Sequence, residues 1–434
     1  MDKTLIYGGK KEDFDLEILQ DYIRQHEAIR QEYILLEDMY MGAHKILNLI
    51  PKDSYKPDNR LVVNYAKYIV DTFNGFFMGK PVKISMDDRL EEYVGDLERL
   101  NDLDDNNYDL SKKSSIYGHA FELLFLDEEA EVGITQIDPK ECFIIYDNSI
   151  RQRPLYGVRY QKTKDGLEGT MSDDDKIYYF ATNKKGELEV IEEVPHYFGE
   201  VPIVEYVENE EKMGAFEPVI TLIDAYNKAI SEKANDVDYF ADAYMKILGA
   251  ILDEETLDTI RDNRIINMKS EDTDKLVVEF MEKPNADKTQ ENLLNNLEKQ
   301  IFAISMVANI TDENFGTSSG IALKYKLLSM TNLANAKERK FVRGFNRRFE
   351  LISNLPNTPI TRDDLKNINY IFTRNLPENA KEEAEIARSL QGLISDETIY
   401  ENLSIIDNPK EEVERVQAEN SYNPELDYSF SHEE

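Results

Sequence analysis

The chain has 434 residues, with 86 Asp/Glu against 51 Lys/Arg, a formal charge of −35. That balance argues against free, sequence-independent binding to nucleic acid, which needs phosphates neutralised by many Lys and Arg. At 41% hydrophobic the chain can bury a real core, its length points to two or more structural units, and its one cysteine, Cys142, excludes an intrachain disulfide and points to a reducing compartment.

The opening MDKTLIYGGKKEDFD lacks the apolar run of a signal peptide. Apolar patches such as Phe73 to Met78 are too short to span a bilayer. The expectation is a soluble protein, made in the cytoplasm, with no membrane partner. Residues 10–50 carry a helical pattern: Leu16, Leu19, Tyr22 and Ile23, then Ile29, Tyr33 and Leu36. Pro51 and Pro57 break it, and Val62, Ala66, Ile69, Val70 and Phe73 resume it. Val82, Ile84 and Met86 predict a short strand. Asp87 to Asp109 holds ten acids and two arginines and predicts a solvent-facing helix. Between 115 and 207, short apolar runs are separated by Gly, Asp, Asn and Pro, which predicts a strand-rich unit of meanders.

From Val219 to Ile247, nine residues fall at alternating 4–3 spacing and eight of them are apolar. This predicts one long helix over 216–248 with a coiled-coil-like seam. A second seam runs through Leu294, Leu297, Ile301, Ile304 and Ala308. The two helices should pack antiparallel around a compact segment, 249–287, with strand-like runs at Ile265–Met268 and Leu276–Met281. The loop Gly316-Thr317-Ser318-Ser319-Gly320 then opens into a long helix, predicted over about 320–353 with bends near 332–336 or 344. From Gly320 to Ser353 there are eight Lys/Arg and two Asp/Glu, a local +6. Lys337, Lys340, Arg343 and Arg347 are assigned to one basic face. That face suits a confined contact with a polyanion; a solvated helix offsetting acidic neighbours is the plainer reading. Past Pro356 short helices are expected, then an acidic, disordered tail: Asn375 to Glu434 carries sixteen acids and four bases.

No enzyme chemistry stands out. Gly75 to Pro81 has one residue too few for a phosphate loop and Pro where Ser or Thr must hold the metal. His26, His44, His119, His196 and His432 lack ligand spacing, so no metal or cofactor is expected. Residues 316–320 satisfy G-x-S-x-G, which would make Ser318 a hydrolase nucleophile. The strand that must precede it is missing from the pattern, and its histidine would have to be His432. A flexible loop with Ser318 or Ser319 as helix N-cap fits better.

Several ordered blocks carry a family resemblance: NRLVVNYAKYIVDTFNGFFMGKPVKIS at 59–85, SIYGHAFELLFLDEE at 115–129, IDPKECFIIYDNSIRQRPLYGVRY at 137–160, the stretch 195–245, and 312–352. With them, over about residues 10–400, the chain resembles the portal (head-to-tail connector) proteins of tailed bacteriophages, in the branch typical of siphophages of Gram-positive hosts. The resemblance implies an α+β, mainly helical portal fold assembled as a ring, commonly of twelve copies, around double-stranded DNA. It implies a wing at 1–215, stem helices at 216–248 and 288–310, and a clip at 249–287. A tunnel loop would occupy 311–320, a tunnel helix 321–353, a return segment 354–375, and a crown with its acidic tail 376–434. The loop residues facing DNA would be Asp312, Glu313, Asn314, Phe315, Gly316, Thr317, Ser318, Ser319 and Gly320. The clip residues meeting partners would be Leu276, Val277, Val278, Glu279, Phe280 and Met281. Implied partners are further copies of the chain, a separate terminase packaging ATPase, a head–tail adaptor, and capsid and scaffolding proteins. The implied location is a capsid vertex of the virion, reached from the host cytoplasm. An acidic scaffold or minor capsid protein without a tunnel is the competing non-enzymatic class.

Overall fold

The computed structural model describes residues 3–53, 56–164, 166–241, 245–248, 277–280, 287–311, 320–375, 380–401, 403, 406 and 409–422. After a short strand β1 (Leu5–Tyr7), helix α1 (Leu16–Met41) starts where the Asp15 carboxylate accepts the Ile18 N–H at 2.9 Å. It ends at Gly42, whose φ of +92° closes the helix in the left-handed region. Helix α2 (Tyr65–Met78) is capped by Asn64 and leads to strand β2 (Lys83–Ser85).

The acidic stretch differs from its expectation. It forms two helices, α3 (Glu91–Leu100) and α4 (Leu103–Tyr117), and α4 is largely buried through Asn106, Asn107, Leu110, Ser111, Ser114 and Ser115. The side chains of Asn106, Asn107, Ser114 and Ser115 find partners inside the core, so hydropathy alone misplaces it.

Strands β3 (His119–Leu126), β4 (Val132–Ile137), β5 (Cys142–Asp147), β6 (Pro154–Thr163), β7 (Gly166–Ser172), β8 (Lys176–Thr182), β9 (Leu188–Pro195) and β10 (Ile203–Val207) follow. They build the expected meanders. A six-stranded sheet runs β1-β5-β6-β7-β8-β9, antiparallel except for the parallel β1–β5 pair, and a three-stranded antiparallel sheet runs β10-β3-β4. One apolar cluster joins the helices to both sheets, with Phe73, Phe77, Phe180, Phe198 and Tyr206 fully buried.

Helix α5 spans Ile220–Ala241. Beyond it, β11 (Met245–Leu248) pairs antiparallel with β12 (Val277–Phe280), so 245–248 is strand rather than the end of the expected helix. The three-residue spacing of Tyr244 and Ile247 follows the helical period, and a run this short is too brief for period to settle helix against strand. Helix α6 (Asp287–Ser305) returns antiparallel to α5. Lys233 meets Glu291 at 3.1 Å and Gln290 Nε2 donates to Asp236 at 2.7 Å, while Tyr226 and Phe302 both pack on the Tyr65 ring. Moving forward along α5 therefore moves backward along α6. The seam is buried at Val219, Ile223, Tyr226, Leu294 and Ile301, but Val237 is 64% and Ile304 48% exposed.

Helix α7 (Gly320–Ser353) runs for 34 residues without interruption, so the expected bends at 332–336 and 344 do not break it. Strand β13 (Asn369–Ile371) then pairs with β2, bringing the chain back to α2. Helices α8 (Ala380–Leu390), α9 (Asp396–Glu401) and α10 (Pro409–Tyr422) follow.

A polar ladder ties α5 to this body. Asn227, Ser231 and Asn235 lie on one face of α5, all buried, and accept the backbone N–H groups of Val63 (2.8 Å), Leu61 (2.9 Å) and Asn59 (2.6 Å). Four helical residues rise about 6 Å and two extended residues about 6.6 Å, so the repeats match over three rungs. Hydrogen exchange should therefore protect the amides of Asn59, Leu61 and Val63 more than those of Arg60 and Val62. Ser231→Ala should unprotect Leu61 and lower stability by about 1 kcal/mol in a urea titration. Uniform exchange across 59–63 would refute the ladder.

Candidate functional site

The basic helix α7 was the leading candidate. Its buried stripe is Leu327, Met330, Ala334, Lys337, Phe341, Phe345, Arg348 and Ile352, at 3–4 spacing. Two cations thus stand among the apolar residues, eleven positions or about 16 Å apart along the axis.

Lys337 is not on an outward basic face. Its Nζ lies 2.7 Å from Glu208, donates to Ser111 O at 2.9 Å and Ser115 Oγ at 2.8 Å, and sits over the rings of Phe73, Phe77 and Phe341. Burial pulls its pKa below the ordinary lysine value, against the opposing attraction of Glu208. Ser114 Oγ also donates to Glu208 at 2.9 Å, so the carboxylate is shared between α4 and α7.

Arg348 escaped the sequence reading. It is fully buried and grips Glu122 of β3 with two bonds, Nε to Oε1 at 2.8 Å and Nη2 to Oε2 at 2.5 Å. Nη2 also donates to Asn107 of α4 at 2.7 Å, and Asn106 Nδ2 donates to Glu122 at 3.2 Å. This bidentate geometry is the strong form of the arginine–carboxylate contact. The available signal was its position, seven residues after Phe341 and four before Ile352, inside the apolar stripe.

The other assigned cations split. Lys340 pairs with Glu210 and Arg347 with Glu200. Glu200 precedes β10, while Glu208 and Glu210 follow it, so one strand's flanks neutralise three of the four cations of the expected face. Arg343 is exposed and makes no hydrogen bond or ion pair with a described residue. Glu205 of β10 is anchored in turn: it lies 2.5 Å from His119 Nδ1 and accepts from Lys212 at 2.6 Å and Tyr146 at 2.6 Å. Burial would raise its pKa, yet Lys212 and His119 hold it well below the usual carboxylate range.

Gly344 is set by packing. A Cβ there would stand 2.4 Å from Tyr206 Cε1, so α7 rests directly on the ring.

Of the expected loop, Asp312 to Ser319 lie outside the described residues, and Gly320 is the first residue of α7. Of the expected clip, Leu276 and Met281 lie outside, while Val277, Val278, Glu279 and Phe280 form β12. Ile265–Met268 and His432 also lie outside. Among the described residues no group of His, Cys, Asp or Glu is arranged to hold a metal, and no helix is long and apolar enough to cross a membrane.

A family described as "Phage portal protein, SPP1 Gp6-like" matches residues 19–425. The chain belongs to this portal family. It is 25% identical to the portal protein of Clostridium phage phiCD119 over 92% of this chain and 94% of that one. It is also 25% identical to the portal protein of Bacillus phage SPP1, over 85% of this chain and 77% of that one. The expected branch, phages of Gram-positive hosts, is the one found. Portal proteins are structural rather than catalytic, so the G-x-S-x-G match around Ser318 marks no hydrolase.

Removing one partner of a buried pair should destabilise the α7 docking far more than replacing both. Glu122→Gln, or Arg348→Met alone, strands a buried charge and should cost about 3–5 kcal/mol, whereas the double change Glu122→Leu with Arg348→Met should recover much of it. Urea midpoints of the three variants check this. Losses that simply add, the double variant losing as much as the two single variants together, would show that the pair is not coupled.

Proposed function

We propose that the chain forms a closed ring at one capsid vertex, through which a separate terminase ATPase packages double-stranded DNA, from which the genome later leaves, and which joins head to tail. The observation that carries this reading is the family match across residues 19–425. On it, 1–215 is the wing. The antiparallel helices α5 and α6 are the stem, with β11–β12 at the base of the clip. Residues 311–320 are the tunnel loop, α7 is the tunnel helix, 354–375 returns to the wing, and 376–434 is crown and tail.

The physics suits the role. The charge of −35 repels phosphates and prevents the ring from gripping its cargo. Repeating one heterologous interface closes a ring when the rotation per copy allows it. The exposed Val237 and Ile304 of the stem offer apolar surface for such a contact. Gly316 in the middle of the tunnel loop and Gly320 at its end carry no side-chain bulk. Its Ser and Thr hydroxyls can meet phosphate without a fixed charge.

Electron micrographs of the purified protein, averaged end-on, should show closed rings with a hole as wide as a DNA duplex. A monodisperse monomer in several salts, with capsid and scaffolding partners present, would overturn the reading.

The clip assignment has its own test. Replacing residues 245–281 with a Gly/Ser linker should leave the wing's cooperative unfolding intact and abolish co-sedimentation with the packaging ATPase and the adaptor. Unchanged binding would remove the clip from this segment.

A further inference from the structure

The exposed side of α7 is distinct from the face that the sequence singled out. Lys324, Ser329, Asn332, Asn335, Arg339 and Arg343 are all exposed. At 100° per residue they fall along one side of the helix. Among the exposed positions described on α7, Glu350 near its C-terminal end is the sole acid. Such a stripe is unusual in a chain with 86 acids.

Arg339 and Arg343 stand one turn apart at its C-terminal end. Neither makes a hydrogen bond or ion pair with a described residue, unlike Lys337, Lys340, Arg347 and Arg348, which the same chain already engages. Glu210, held below the usual carboxylate range by Lys340 first, feels Arg343 as well but is bonded to Lys340.

From Asn332 onward the exposed positions are Asn, Ala and Arg, then Glu350 near the C-terminal end, with no large apolar group until the helix ends. The core of a contact between protein copies wants aromatic and aliphatic anchors. Arg with uncharged amide and hydroxyl side chains is the composition that meets phosphate oxygens without reading bases.

We propose that this stripe, with Arg339 and Arg343 as its cations of contact, is the part of α7 that touches the DNA phosphate backbone. Lys337, Lys340 and Arg347 take no part in the contact. The proposal rests on the portal reading above. Two arginines per copy, spaced by one turn on a helix held rigidly at its far half, give a sparse ring of cations on an otherwise acidic wall. The contact is sequence-blind and weak enough to slide.

The first experiment measures binding of wild-type rings to a short linear duplex as salt is raised. Rings of Arg339→Ser/Arg343→Ser should bind about tenfold more weakly at low salt, with a log–log salt slope shallower by about one or more. Arg339→Lys/Arg343→Lys should restore both, since a point charge suffices. Lys340→Ser, which removes a cation already paired within the chain, should change neither. If wild-type protein forms no ring, the portal reading fails; if its rings form but bind no duplex at low salt, the stripe makes no phosphate contact and the proposal alone fails. If wild type binds and the double serine variant binds equally with the same slope, only the stripe assignment fails.

The second experiment stands even where the double variant assembles poorly. Cys142 is fully buried, so Arg343→Cys supplies the one reactive thiol among the described residues. A photocrosslinker attached there, on rings threaded with duplex, should give a protein–DNA adduct. A crosslink to a neighbouring copy instead, or to neither, would overturn the proposal.

Discussion

The structure hangs on two buried ion pairs, Arg348–Glu122 and Lys337–Glu208. Each joins α7 to α4 and to the three-stranded sheet at once: Arg348 through Glu122 of β3 and Asn107 of α4, Lys337 through Glu208 beyond β10 and the Ser111 and Ser115 groups of α4. Apolar stripes alone permit a helix to slide or rotate among near-equivalent packings. A bidentate arginine about 16 Å from a second buried cation leaves one register. Desolvating four charges is expensive, and continuum reasoning says such pairs add little net stability. What they supply here is position, since any other register leaves a charge without its partner.

The same logic organises α4 and α5. The buried asparagines and serines of α4 look like errors in a hydrophobic core until their partners are placed; they are the sockets for Arg348 and Lys337. On α5, Asn227, Ser231 and Asn235 hold an extended segment by its backbone N–H groups. Side chains that receive backbone donors satisfy a strand that has no neighbour in a sheet. In both places polar residues inside the body fix where a long helix lies, and apolar residues supply the bulk of the burial.

This division gives α7 two halves with different constraints. From Lys337 to Ile352 it is clamped between α4, Tyr206 and the phenylalanines of its own stripe. From Gly320 to Leu328 it presents Tyr325 at 75% and Leu328 at 52% exposure. The helix is thus held along its C-terminal half and less covered toward its N-terminus, where Leu327 is still buried.

The sequence by itself determined the family, through ordered blocks along most of the chain, and the local elements that follow from period. The meander between 115 and 207, the antiparallel hairpin of α5 and α6 and the single long helix after Gly320 were all legible there. It also determined that cationic charge concentrates on that helix. Only the tertiary structure decided where each charge points. Lys337 belongs to the buried stripe, α4 is a core helix rather than a solvated one, and residues 245–248 pair as a strand with 277–280 rather than extending the expected helix. The reason is the range of the interactions. Periodicity is set by neighbours three or four residues away, whereas the fate of a charge depends on a partner such as Glu122, 226 residues from Arg348 in the chain.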